Sequence, residues 1–167
     1  EDEAAMWYEA AAEQGHVLAQ YEIARCYETG KGVSVRVYEA AKWYEKAAEQ
    51  GHVLAQYEIA QYYWHGVGVK RDINRAVAWY RKAAEQNHLR SQVNLGDYYT
   101  DIARFEEANK WYRKAAEHGD AFAQYNLGYN LAGGLGTERN ISEAAEWYER
   151  AAEQGIGEAQ CQIANIY

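Results

Sequence analysis

The residues AAEQGHVLAQYEIA stand at positions 11–24 and again, letter for letter, at 47–60. A recurring offset constrains a chain more than its composition does, because every copy must take the same local structure and pack on its neighbours in the same way. The pair WY returns at Trp7, Trp43, Trp79, Trp111 and Trp147, at spacings of 36, 36, 32 and 36 residues, each time followed four residues later by AAE. A second module, AQYEIA at Ala19 and Ala55, returns as SQVNLG at Ser91, AQYNLG at Ala123 and AQCQIA at Ala159. A period between about 20 and 50 residues is the signature of a solenoid built from one supersecondary unit.

Each unit holds two helical patterns. In EAAKWYEKAAEQG, Ala40, Trp43, Tyr44, Ala47 and Ala48 fall at i, i+3, i+4, i+7 and i+8, an apolar stripe backed by Glu and Lys. This predicts an amphipathic helix that stops at Gly51, as its copies stop at Gly15, Gly119 and Gly155, because glycine takes the left-handed cap conformation without steric cost. Asn87 fills the same slot in the remaining copy. In LAQYEIAQYYW, Ala55, Ile59, Ala60 and Tyr63 form a second stripe, and a glycine-rich connection follows. The chain contains no proline to interrupt helices, and Asp72 and the Asn140…Glu143 pair are expected to cap the helices they precede. The five recurring WY tryptophans are expected in the core, and Cys26 and Cys161 are expected as small core fillers too far apart to bridge.

The stretch AQYEIAQYYWHGVGVKRDINRAVAWYRKAAEQ, residues 55–86, with close copies over the rest of the chain, resembles the Sel1-like repeat, a relative of the tetratricopeptide repeat. Tetratricopeptide units usually have 34 residues with proline near the end, whereas this chain has mostly 36 and glycine there, which favours the Sel1-like branch. The resemblance implies an all-α fold, a right-handed α-solenoid of stacked antiparallel helical hairpins forming one repeat domain. Framed that way, a half repeat at 1–16 precedes full repeats at 17–52, 53–88, 89–120 and 121–156, and a half repeat at 157–167 follows. The chain starts at Glu1 rather than Met and stops within the apolar pattern CQIANIY, so it is expected to be part of a longer array. Neither terminal half repeat carries a polar capping face, so the array ends are expected to continue in the parent protein or to mediate self-association. After Tyr99 the sequence TDIARFEEANKWY lacks the four residues present as GKGV, GVGV and GLGT elsewhere, which predicts a shortened connection.

Composition narrows the function. A net charge of −8 repels phosphate backbones, so nucleic acid is not an expected partner. No stretch reaches the roughly 20 apolar residues of a membrane span, and no membrane insertion is expected. The Gly-x-Gly connections lack the preceding strand and the Lys-Ser/Thr pair of a phosphate loop and are read as hairpin connections. His16, His52 and His88 recur at a spacing of 36 residues. At the roughly 10 Å separation of packed helices such residues cannot share a metal, so they are read as helix-entry residues. Serine is confined to Ser34, Ser91 and Ser142, outside any nucleophile pattern. No catalysis, cofactor or metal site is expected.

Residues repeated in every unit serve packing, and residues that change between units are free to be tuned to a partner. In tetratricopeptide arrays the first helix of each hairpin lines a concave groove, and matching the AQYEIA module carries that over. The groove rows implied are Arg25, Gln61, Asp97, Tyr129 and Asn165; Glu28, Trp64, Thr100 and Ala132; and Thr29, His65, Asp101 and Gly133. A fourth row, Tyr21, Tyr57, Val93, Tyr125 and Cys161, is nearly constant and fits packing as well as contact. Partner-binding candidates are therefore Arg25, Glu28, Tyr57, Gln61, Trp64, His65, Asp97, Asp101, Tyr125 and Tyr129, with the acids around Asp97 pointing to a basic segment of a peptide or protein. The expected function is a non-catalytic adaptor or scaffold. A designed scaffold without a ligand, suggested by the perfect duplication, and a regulatory repeat region of a larger enzyme are the rival readings.

Overall fold

The computed structural model of the chain describes residues 2–166, and among these every regular element is an α-helix. They are α1 (Asp2–Glu13), α2 (Val17–Thr29), α3 (Val37–Glu49), α4 (Val53–His65), α5 (Ile73–Glu85), α6 (Leu89–Asp101), α7 (Phe105–Glu117), α8 (Ala121–Gly133), α9 (Ile141–Glu153) and α10 (Gly157–Ile166). Two compact units divide the chain, Glu1–Gln86 with α1–α5 and Asn87–Tyr167 with α6–α10. Within each, every helix packs on the helix before and after it in sequence, and in the second unit α6 also touches α8.

The apolar stripes do what their spacing predicts. Ala40, Trp43, Tyr44, Ala47 and Ala48 of α3 are buried, and so are Ala55, Ile59, Ala60 and Tyr63 of α4. Small alanines at the crossing points bring helices close, and the tyrosine rings fill the spaces between them. Lys or Arg three residues after the tryptophan lies over the indole in four copies: Lys46 on Trp43 at 4.0 Å, Lys82 on Trp79 at 3.9 Å, Lys114 on Trp111 at 4.7 Å and Arg150 on Trp147 at 4.6 Å. The fifth copy breaks the expectation of a core tryptophan. Trp7 is 70% exposed, because α1 packs on α2 alone and Ala10 stands where the other copies place the cation. Cys161 is likewise exposed rather than a core filler, whereas Cys26 is buried; both thiols are free.

Gly51 adopts φ +89°, and the amides of Gly51 and His52 bond back to the carbonyls of Ala48 and Ala47. This satisfies carbonyls that the helix end would otherwise leave open. The caps form where the sequence places them, with Asp72 accepting from the Arg75 amide and Asn140 from the Glu143 amide. The connection between α6 and α7 is only residues 102–104, against seven residues after α2, α4 and α8, as the four-residue deletion requires.

A buried glutamine in the first helix of each hairpin was not anticipated as a structural residue. Gln56 donates to the carbonyl of Ala48 on α3 at 3.2 Å and accepts from Gln86 at the end of α5 at 2.9 Å, so one side chain joins three helices. Gln20 makes the same pair of bonds to Ala12 and Gln50, and Gln124 to Ala116 and Gln154. Gln56→Leu should remove both bonds, costing about 2 kcal/mol and lowering Tm by roughly 4–8 °C in a thermal melt. Gln160→Leu, at the same register of α10 but exposed, should change stability by less than about 0.5 kcal/mol; equal losses at the two sites would deny the glutamine this role.

Candidate functional site

The first helices of the hairpins carry all ten candidate residues. In the first unit, Arg25 and Glu28 lie on α2, and Tyr57, Gln61, Trp64 and His65 on α4. Arg25 is exposed, pairs with Glu22 at 3.2 Å and lies 5.8 Å from the Tyr21 ring, at the edge of a shallow cleft that also includes Thr29 and Lys31. Glu28 faces inward. Its two carboxylate oxygens accept from the hydroxyls of Tyr44 at 2.8 Å and Tyr62 at 3.0 Å, and burial together with this carboxylate raises both phenols well above the ordinary tyrosine range. On α4, one helical turn at a time, Gln61 donates to the Tyr57 hydroxyl at 2.8 Å and accepts from the His65 ring at 3.1 Å. Trp64 is half-buried, with its ring 6.1 Å from that of Tyr80.

In the second unit the structure brings Asp97, Asp101, Tyr125 and Tyr129 to one neighbourhood. Tyr125 and Tyr129 of α8, with Phe105 and Tyr112 of α7 and Thr100 of α6, wall an open cleft of about 260 Å³ that also holds the amides of Asn126 and Asn130. The Tyr112 hydroxyl donates to Asp97 at 2.7 Å and sits 3.3 Å from the Thr100 hydroxyl. Although Asp97 reaches solvent, the packing around it raises its carboxyl above the usual range. The Tyr112 hydrogen bond opposes that rise, and the negative charges of Asp101 and Asp120 add to it. Tyr129 is 52% exposed, so it presents a ring to solvent rather than to the core.

Phe105, Tyr112, Asn126 and Asn130 were absent from the candidate set. The signal existed for Asn130, which aligns with Cys26, Tyr62 and Tyr98 and thus varies at least as much as the row that supplied Tyr57 and Tyr125. Tyr112 belongs to the constant WY pair, and reuse in every unit correctly marks it as buried while hiding that its hydroxyl edge reaches a cleft.

The glycine connections and the histidines have positive structural assignments. A Cβ on Gly68 would come within 2.5 Å of the Val37 carbonyl, and one on Gly136 within 2.3 Å of the Phe105 backbone. These loops are packed against the preceding hairpin as hairpin connections. His52 caps α4, its Nδ1 accepting from the Ala55 amide at 3.1 Å while the ring stacks on Tyr21 at 4.5 Å. His88 approaches the Ser91 hydroxyl at 2.9 Å from the same position, and Asp120, which replaces histidine there, caps α8.

Against known proteins, the family model described as the Sel1 repeat matches residues 1–16, 17–52, 53–88, 89–120 and 121–156. The chain is similar to a protective antigen present in uropathogenic Escherichia coli strains and displaying an SLR fold, at 34% identity and TM-score 0.92 over 99% of this chain and 36% of that one. A Sel1 repeat protein from Oxalobacter formigenes is 40% identical, with TM-score 0.80 over 92% of this chain and 63% of that one. The chain thus spans about a third of the first and under two thirds of the second. The crystal structure of MamA, 17% identical with TM-score 0.61 over 92% of this chain and 87% of that one, shares the fold. None of the curated proteins matches the chain.

Burial lowers the pKa of both His52 and His88, with the charge of Arg90 adding to the effect at His88 and that of Glu22 opposing it at His52. As the pH falls below about 6.5 the unfolded chain therefore takes up protons that the folded chain refuses, and stability drops. Denaturant unfolding between pH 7.5 and pH 5 should show this loss, and His52→Asn with His88→Asn, which can keep the His52 cap while removing both titrations, should flatten it. An unchanged slope in the double variant would place the pH dependence elsewhere.

Proposed function

The chain belongs to the Sel1 repeat family, and from that premise we infer that it is a non-catalytic interaction module that binds a protein segment on the exposed faces of its first helices. One observation supports this above the others. In the four full hairpins the repeated tryptophan and tyrosine of the WY pair and the glutamine of the AQ module are buried, whereas side chains that differ between hairpins, Arg25, Asp97, Asp101, His65 and Tyr129, stand exposed. A surface that packing does not dictate, rich in aromatic rings and charge, is what segment recognition uses: rings supply buried area and charges fix register.

The ten candidates contribute unequally to this reading. Tyr129 lines an open cleft whose wall residue Tyr112 bonds to Asp97 and feels the charge of Asp101, and Trp64 with the Tyr57, Gln61 and His65 chain forms a second aromatic surface on α4. Arg25 edges a third cleft. Glu28 acts through neighbours by holding Tyr44 and Tyr62, and Tyr125 both walls the cleft and packs against Tyr148 at 5.8 Å. The face of α1 that carries exposed Met6 and Trp7 is the surface to which self-association is assigned.

Selection of a displayed random peptide library on the immobilised chain tests the reading. Peptides sharing a motif should be enriched, and Trp64→Ala or Tyr129→Ala should weaken their retention about tenfold or more while shifting Tm by only a few degrees. Failure to enrich any motif, or retention indifferent to both substitutions, would overturn it.

A further inference from the structure

We propose that the cleft between α6, α7 and α8 takes a basic side chain, arginine or lysine, from the segment that docks there, an assignment that rests on the interaction reading above. The cleft exists because two positions are smaller in the second unit than their counterparts in the first. Thr100 occupies the register of Glu28, and Asn130 that of Tyr62. In the first unit the Glu28 carboxylate and the Tyr62 ring fill the equivalent space and bond to each other, with Tyr44 as the third partner. In the second unit Asn130 turns its amide to Asn109 at 2.8 Å, and the vacated volume of about 260 Å³ opens to solvent, walled by Phe105, Tyr112, Tyr125 and Tyr129. That is below the roughly 300–1,000 Å³ of sites for whole small molecules and suits one long side chain.

Charge selects which side chain. Asp97 adjoins the cleft through Tyr112, the wall residue from whose hydroxyl it accepts a hydrogen bond. The charged groups acting on Asp97, Tyr112 and Tyr125 are Asp97 itself, Asp101, Asp120 and Glu158, all acids, with no Lys or Arg among them. Of the four bases on or just before α7, three are engaged elsewhere: Arg104 with Glu107, Arg113 with Glu143 at 2.7 Å, and Lys114 over Trp111. On α2 the arrangement is the reverse, since Arg25 supplies a cation over Tyr21. A guanidinium or ammonium group entering the second-unit cleft would meet aromatic rings, whose faces attract cations, and a carboxylate in need of a counter-ion. An apolar side chain would fit the walls but would take water from Asp97 without replacing it, and an anion would be repelled. The net charge of −8 draws basic segments to the chain in the first place.

Titration of the isotope-labelled full chain by NMR, with N-acetyl-arginine amide, N-acetyl-leucine amide and N-acetyl-glutamate amide as probes, decides the matter. The arginine probe should shift amides of residues 97–101 and 125–130 and bind at least about fivefold tighter than the leucine probe, with the glutamate probe inert. Asp97→Asn should weaken it about tenfold, the factor that 1.4 kcal/mol represents. Thr100→Glu with Asn130→Tyr, which copies the filled arrangement of the first unit, should abolish these shifts although it makes the chain more acidic. Tyr129→Ala, at an exposed position, serves the same purpose if that double variant does not fold. Tighter arginine binding in the more acidic variant, or shifts scattered over the acidic surface, would overturn the proposal. A leucine probe that wins at the same residues would overturn the basic assignment and leave the interaction reading standing. Failure of the peptide selection, by contrast, would fall on that reading itself.

Discussion

Within each compact unit a buried amide fixes how consecutive hairpins meet. The glutamine at the second position of the AQ module donates to a carbonyl near the end of the preceding second helix and accepts from the glutamine that closes the following one. Apolar stripes alone allow helices to slide, since alanine surfaces are nearly featureless. A polar group sealed among them tolerates only the register in which its bonds are made, because an unmade buried hydrogen bond costs more than the made one gains. The tyrosines and tryptophans then fill a geometry the amides have set. In the hairpin where His118 replaces the closing glutamine, its ring turns to the carbonyl of Lys114 at 2.7 Å instead.

Once register is held by repeated residues, the other positions are released. The first helices show what that freedom produces. At one register Glu28 satisfies two tyrosine hydroxyls internally, and two hairpins later Thr100 leaves the space open. At another, Arg25 gives way to Gln61, Asp97 and Tyr129, which changes the sign of the surface charge without disturbing the stripe beneath. Recognition in such a fold is written into departures from the repeat.

Much of this was legible in the sequence. The helices, their glycine ends, the Asp72 and Asn140 caps and the histidine entries follow from local chemistry, and spacing reveals local chemistry well. Trp7 was misjudged because membership in the WY row was equated with burial, which also depends on a neighbouring helix and on the cation three residues on; Ala10 was the available warning. The buried glutamines escaped because a polar letter beside an apolar stripe reads as solvent-facing, and only three-dimensional packing shows that Gln56 lies between α3, α4 and α5. The cleft escaped for a related reason: a cavity is made by absence, and the small size of Asn130 matters only when compared with Tyr62 in place.

The account stands on a division of labour between repeated and varied positions. The most direct test transplants the α2 letters onto the second unit, Asp97→Arg, Thr100→Glu, Asp101→Thr and Tyr129→Arg together, and follows thermal unfolding and retention of library-selected peptides side by side. The division predicts a Tm within about 4 °C of the parent, as for exposed substitutions, with retention lost. A melting point that collapses as it would for a core substitution, or peptides still held by the transplanted chain, would contradict it.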